Sequence, residues 1–159
     1  MTAAAFAIEP RKGTSMSAPF IFITTHKINP GQLDEFKRLS SEFEEFVRAN
    51  EPDLLAYYAY LDEDSSEASL VQIRRDASSA DFHMEIAAGK IAQGLAVTTT
   101  VRAEVYGIPG PVVGQVGEAN TVAGVPVSIK PDVLGGFTRG EGACAIQLVH
   151  QYLSAIRLG

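Results

Sequence analysis

Residues 54–74 read LLAYYAYL-DEDSS-EASLVQIR, and this stretch decides the fold. Leu54–Leu61 is dense in aromatic and apolar residues, as a strand is. Asp62 to Ser66 is a wholly polar turn, and Ala68–Arg74 returns as a second strand, so the segment predicts a β-hairpin. On its N-terminal side Phe20–Ile28 (FIFITTHKI) predicts a strand. Asn29-Pro30-Gly31-Gln32 follows, read as a helix start with Asn29 as N-cap and Pro30 at the first helical position. Leu33, Phe36, Leu39, Phe43 and Val47 then recur at helical spacing, and the helix should stop near Asn50 because Pro52 disfavours helix at the residue before it. On the C-terminal side a helix is predicted over 78–93, capped by Ser78 or Ser79, with Gly94 near its end. Val97–Ile108 closes the set as a strand. The order β-α-β-β-α-β predicts an α+β fold, a ferredoxin-like antiparallel sheet with two helices on one face.

A sheet covered on one face should alternate apolar with polar residues. Leu54–Leu61 does not. Leu55, Tyr57, Ala59 and Leu61 make one face, and Leu54, Ala56, Tyr58 and Tyr60 make the other. Two helices cover only one of these, so the second face predicts a homodimer with facing sheets. The competing reading is that the C-terminal segment folds back over it, or that the tyrosine hydroxyls tolerate water.

After Pro111 the texture changes. Residues 112–136 hold many Gly and Val residues without a clear period, which predicts an extended arm with one strand at Val125–Ile129, and 143–158 reads as a short helix. The chain thus divides into an N-terminal arm (1–18), a folded domain (19–110) and a C-terminal extension (111–159). Residues 1–15 are aperiodic, so either they form a disordered arm or Met16 is the natural start.

With a net charge of −6 and a pI near 5.0, the chain offers no broad surface to nucleic acid or an anionic membrane. Its single cysteine, Cys144, forms no internal disulfide, and no Cys/His cluster suggests a metal site. No apolar run reaches the ~18 residues of a membrane helix, and no secretory signal is recognisable, so the expected compartment is the cytoplasm. A nucleophile elbow and the phosphate-binding glycine spacings are also missing from the sequence.

Chemistry is concentrated in residues 76–91, DASSADFHMEIAAGKI. At 100° per residue, Ser78, Asp81 and Glu85 form one polar stripe, and His83 lies about 160° from both acids. Ala80, Ile86, Ala87 and Ile91 share its side, so a titratable ring is aimed into whatever the helix covers. Three readings compete: a core histidine satisfied by one hydrogen bond, a general base or orienting donor in a pocket, and a haem ligand. Lys90 sits on the same side two turns on, placed either to snorkel into solvent or to meet an anionic group. His26 shares a strand face with Phe20, Phe22 and Thr24, placed to meet His83 across a pocket or to end the strand in solvent. Arg74 is a central strand cation able to hold an oxyanion, or to pair with an acid, as is Arg102. Of the tyrosines, one set should line a pocket and the other a dimer interface; period alone does not say which. His150 reads as incidental.

Taken in order, His26-Lys27-Ile28-Asn29-Pro30-Gly31, Asn50-Glu51-Pro52, Val71-Gln72-Ile73, Asp76-Ala-Ser-Ser79, Phe82-His83-Met84 and Val105-Tyr106-Gly107 resemble the antibiotic biosynthesis monooxygenase family over about residues 19–110. Gly135-Gly136-Phe137-Thr138-Arg139 is similar to tails in one branch of it. The resemblance implies a dimeric α/β barrel with a pocket between helices and sheet. It implies cofactor-independent oxygenation of an electron-rich aromatic such as a quinol. The alternatives are a non-catalytic small-ligand-binding or stress-associated barrel and a haem-binding or haem-degrading protein. The site it implies has His83 as the catalytic base and His26, Tyr58, Tyr60, Arg74 and Phe82 around a small aromatic ligand, with no cofactor and no metal. The chain departs from the family in having no tryptophan, where one is usual near the start of the second helix; Arg74-Arg75-Asp76 stands there instead.

Overall fold

The computed structural model describes residues 18–138. Its elements are β1 (Phe20–Ile28), α1 (Leu33–Asn50), β2 (Leu54–Leu61), β3 (Glu67–Arg74), α2 (Ala77–Ile86), α3 (Ala88–Val97), β4 (Thr98–Tyr106), α4 (Pro111–Val122) and β5 (Val127–Lys130). The sheet order is β2-β3-β1-β4-β5. Its first four strands pair antiparallel throughout, and β5 joins the edge parallel to β4. The expected ferredoxin-like α+β core is therefore present, enlarged to a five-stranded mixed sheet with four helices. The expectations for the N-terminal arm, for Cys144, for His150 and for a helix at 143–158 lie outside the described residues.

Three local expectations change. Asn29-Pro30-Gly31-Gln32 is a turn and not the helix start: Gln32 N–H reaches the Asn29 carbonyl at 3.0 Å, and Gly31 takes a φ of +76°. Proline at the second position and glycine at the third suit that turn, and the helix begins after it. The second helix breaks at Ala87 into α2 and α3, and its cap is Asp76, whose carboxylate accepts from Ser79 N–H at 2.9 Å. The stretch expected to be an extended arm contains α4 instead. Pro111 opens that helix, and the Asp81 carboxylate accepts the Val113 N–H at 2.9 Å. A side chain at Gly110 would collide with that carboxylate, since its Cβ would lie 2.1 Å from Asp81 Oδ2. Val113 is buried with Phe20, Phe22, Ala80, Ala103 and Val105, so tertiary burial holds a helix that has no amphipathic period of its own. Only β5 agrees with the strand expected there.

The helices lie on one face of the sheet, against Phe20, Phe22, Ala103 and Val105 at one end and Ile28 and Ala68 at the other. In strand β3, Ala68, Leu70, Gln72 and Arg74 face the helices, with Gln72 and Arg74 buried there; Val71 and Ile73 share the opposite side with Glu67 and Ser69.

Candidate functional site

Pairing across the hairpin sets Tyr57 opposite Gln72, and pairing across β1 sets Phe22 opposite Gln72 on the other side. These residues, with Thr24 and His26 further along β1, floor a cavity of about 180 Å³. Phe36, Ser40 and Phe43 of α1, His83 and Met84 of α2, Ile91 of α3 and Val116 of α4 wall it. A dry apolar cavity of ~150 Å³ admits benzene, so this space suits about one six-membered ring.

His83 is 1% exposed and lines this cavity. Its Nδ1 is 2.8 Å from Glu51 Oε1. The other carboxylate oxygen of Glu51 accepts from Arg74 at 2.7 Å. Arg74 also donates to the Ser79 carbonyl at 3.0 Å and, through Nε and the second terminal nitrogen, to Gln72 Oε1 at 3.0 and 2.6 Å. Burial pushes the Glu51 carboxyl up, but hydrogen bonding and charge from His83 and Arg74 outweigh it and hold it below its ordinary value. Burial lowers the Arg74 pKa, and Glu51 opposes that. The pair is therefore an ionised carboxylate with its guanidinium counter-ion, both fully desolvated.

A carboxylate is acceptor-only, so it takes the Nδ1–H of the imidazole and leaves Nε2 as the ring nitrogen outside that bond. Among the described residues, no hydrogen-bond partner is found for Nε2, which makes it the nitrogen available to a ligand. The Phe43 ring meets the imidazole edge-on at 5.7 Å and the Tyr57 ring at a tilt of 49° at 5.6 Å, packing against both. Burial pushes the Tyr57 hydroxyl up to about 12, with a Ser40 hydrogen bond opposing and Glu44 adding, so it is a neutral donor at physiological pH.

His26 also lines the cavity, but both of its nitrogens are engaged. Nε2 lies 2.9 Å from the Thr24 hydroxyl and Nδ1 3.2 Å from the Thr100 hydroxyl. Burial lowers its pKa, favouring the neutral ring.

The other expected site residues are placed elsewhere. Tyr58 and Tyr60 point to the uncovered face, 56% and 57% exposed, with their rings 6.1 Å apart; Tyr57 is the tyrosine that reaches the cavity. Arg74 stands behind Glu51 and does not line this cavity. Phe82 is 45% exposed and borders a separate depression, which Glu51, Arg74 and Asp53 also line. Arg102 has only a loose 4.0 Å contact with Glu104. Glu51 was not singled out from the sequence as a site residue. One signal was available: an acid closing a helix C-terminus opposes the helix dipole, so it implies a compensating partner.

No protein-family profile and no curated protein matches the chain. Solved structures are similar to it. MupZ from Pseudomonas fluorescens is 18% identical, over 77% of this chain and 95% of that one, with a TM-score of 0.60. A conserved protein from Methanosarcina mazei Go1 is 14% identical over 56% of this chain and 91% of that one, with a TM-score of 0.50. A structure named antibiotic biosynthesis monooxygenase is 22% identical over 50% of this chain and 85% of that one, with a TM-score of 0.46. The likenesses to MupZ and to the Methanosarcina protein bear out the fold read from the sequence, and structures bearing the name of the family it resembles are also among the similar ones. The likeness to MupZ covers a larger share than residues 19–110 alone. Among the described residues, no helix is long and apolar enough to cross a membrane.

Proposed function

We propose that this protein is a cofactor-independent monooxygenase of a single-ring, electron-rich phenol or quinol, with His83 as the general base. The observation that carries the proposal is the Arg74–Glu51–His83 chain, which leaves Nε2 unengaged beside a one-ring cavity. His83 Nε2 takes the phenolic proton, and Glu51 stabilises the imidazolium across Nδ1–H. The phenolate is the reductant: it gives an electron to dioxygen, and the two radicals combine at an unsubstituted ring carbon. One oxygen atom stays on that carbon as a quinone carbonyl. The other leaves as water with two hydrogens, one from the hydroxyl and one from the ring carbon. Tyr57 is a neutral donor for the developing oxyanion, and the apolar walls keep the intermediate from bulk water.

The test is oxygen uptake with a panel of monocyclic quinols under ¹⁸O₂. The expected result is one labelled oxygen per product, with uptake abolished in His83→Ala. Tight binding of the same quinols with no uptake would return the protein to the non-catalytic ligand-binding reading. Haem does not fit the residues present, because a tetrapyrrole is several rings wide and the cavity holds about one.

The working unit in this proposal is a homodimer. Ile21, Ile23, Val71 and Ile73 alternate out of the helix-covered face, alongside the exposed Tyr58 and Tyr60. An apolar sheet face with no helices on it is the kind of surface a second sheet covers. Light scattering should give twice the 17.0 kDa of the chain, and Tyr58→Asp should return it to one. A monomer at micromolar concentration in the unaltered protein would refute this arrangement.

A further inference from the structure

We propose that the cavity's substrate carries a carboxylate, which Lys90 holds at the mouth while the phenol ring lies against His83. This deepens the function proposed above and rests on it for the identity of the ring. The starting point is charge. Of the described residues that line the cavity, Lys90 alone carries a fixed charge; no Asp, Glu or Arg lines it. The second point is depth. His83 is 1% exposed, whereas the Lys90 side chain is 33% exposed and Leu95, on the same helix, is 47% exposed. The closed end of the cavity therefore has the base, and the open end has the cation.

The ammonium makes no hydrogen bond. Its one acidic neighbour is Glu42, whose Oε2 forms a loose ion pair with it at 3.9 Å while the other carboxylate oxygen is hydrogen-bonded by Arg38. The remaining contact is the Phe46 ring, 5.9 Å from Nζ. Swinging to a ligand costs Lys90 no hydrogen bond. Lys90 is on α3, past the break at Ala87, and His83 is on α2, so the two stand at separate points of the cavity wall. A ring carrying a short acidic side chain has the two ends such an arrangement calls for. A compact ammonium on a flexible stem suits a lone carboxylate at a wet rim. The need for it is set by the rest of the chain, whose net charge of −6 repels an approaching anion.

The experiment is a calorimetric titration of the full chain with 4-hydroxyphenylacetate and, separately, with its methyl ester. The acid should bind about threefold to fivefold more tightly than the ester, the scale of one partly exposed charge pair. That preference should shrink as salt is raised. In Lys90→Gln the acid should fall to the ester's affinity while the ester is unmoved; Lys90→Arg should keep part of the preference. Equal binding of acid and ester by the unaltered protein, binding of neither, or a preference that survives Lys90→Gln would overturn the proposal. Because the readout is affinity, it is separable from the oxygenase reading. A carboxylate preference without oxygen uptake leaves Lys90's role standing and removes the chemistry, and uptake with neutral quinols but no preference does the reverse.

Discussion

Two histidines face the same cavity, and both are buried. His26 has each nitrogen on a threonine hydroxyl, partners that can donate or accept. His83 has one nitrogen on a carboxylate, which can only accept, and the other turned to the cavity. Burial is common to both, so burial does not distinguish a reactive histidine from a structural one. The partner set does. A ring with two neutral partners is already satisfied, whereas a ring with one anionic partner has its Nδ1–H fixed and its second nitrogen unengaged.

The strongest way to break this contrast is at Glu51. Glu51→Ala should destabilise the fold by about 3–5 kcal/mol, because it leaves the buried Arg74 guanidinium without its counter-ion. Chemical denaturation measures this, and a loss below 1 kcal/mol would mean that water reaches Arg74. His83→Ala comes next. If Nε2 is the base, quinol-dependent oxygen uptake should fall on the order of 10²–10⁴-fold, with a smaller loss of stability. His26→Gln should show the reverse: about 1–3 kcal/mol lost in melting experiments, chiefly from hydroxyls left unpaired, and a rate within roughly tenfold of the unaltered protein. A rate loss as large as that of His83→Ala would erase the distinction.

Acid should separate the same two sites more gently. Burial lowers the His26 pKa below its ordinary 6.5, so the unfolded chain takes up that proton first. Its contribution to stability is complete above pH 6.5 and is lost as pH falls through the folded-state value, and His26→Gln should remove this slope. Glu51 is held below its ordinary 4.5, so its contribution is present above that pH and is lost only as pH falls further, through its own folded-state value. Stability curves against pH for the two variants check the order. The smallest effect is expected one residue from Arg74. Arg75 pairs with Asp53 at 2.7 Å, with both side chains more than half exposed, and Arg75→Ala should change stability by no more than about 0.5 kcal/mol.

The elements of the core fold were legible because their signals are local. Period, turn chemistry and order along 20–108 do not depend on what packs where. The fourth helix was not legible: its Gly- and Val-rich sequence has no helical period, and what holds it is the Asp81 carboxylate, 32 residues earlier, together with burial of Val113. In the site, His83 was legible from the wheel and His26 from its strand face. Tyr58 and Tyr60 were misplaced because alternation divides a strand into two faces without saying which one the helices cover.

The sequence by itself determined the β-α-β-β-α-β order along 20–108, the direction of His83 on its helix and the two-sided apolar character of β2. Each follows from dihedral periodicity, which neighbouring residues set. Only the tertiary structure decided that Glu51 joins Arg74 to His83, that Tyr57 and not Tyr58 meets the cavity, and that Lys90 stands at its mouth. Those are contacts between residues distant in sequence, where 3.5 Å separates a hydrogen bond from none, and no local pattern encodes such a distance.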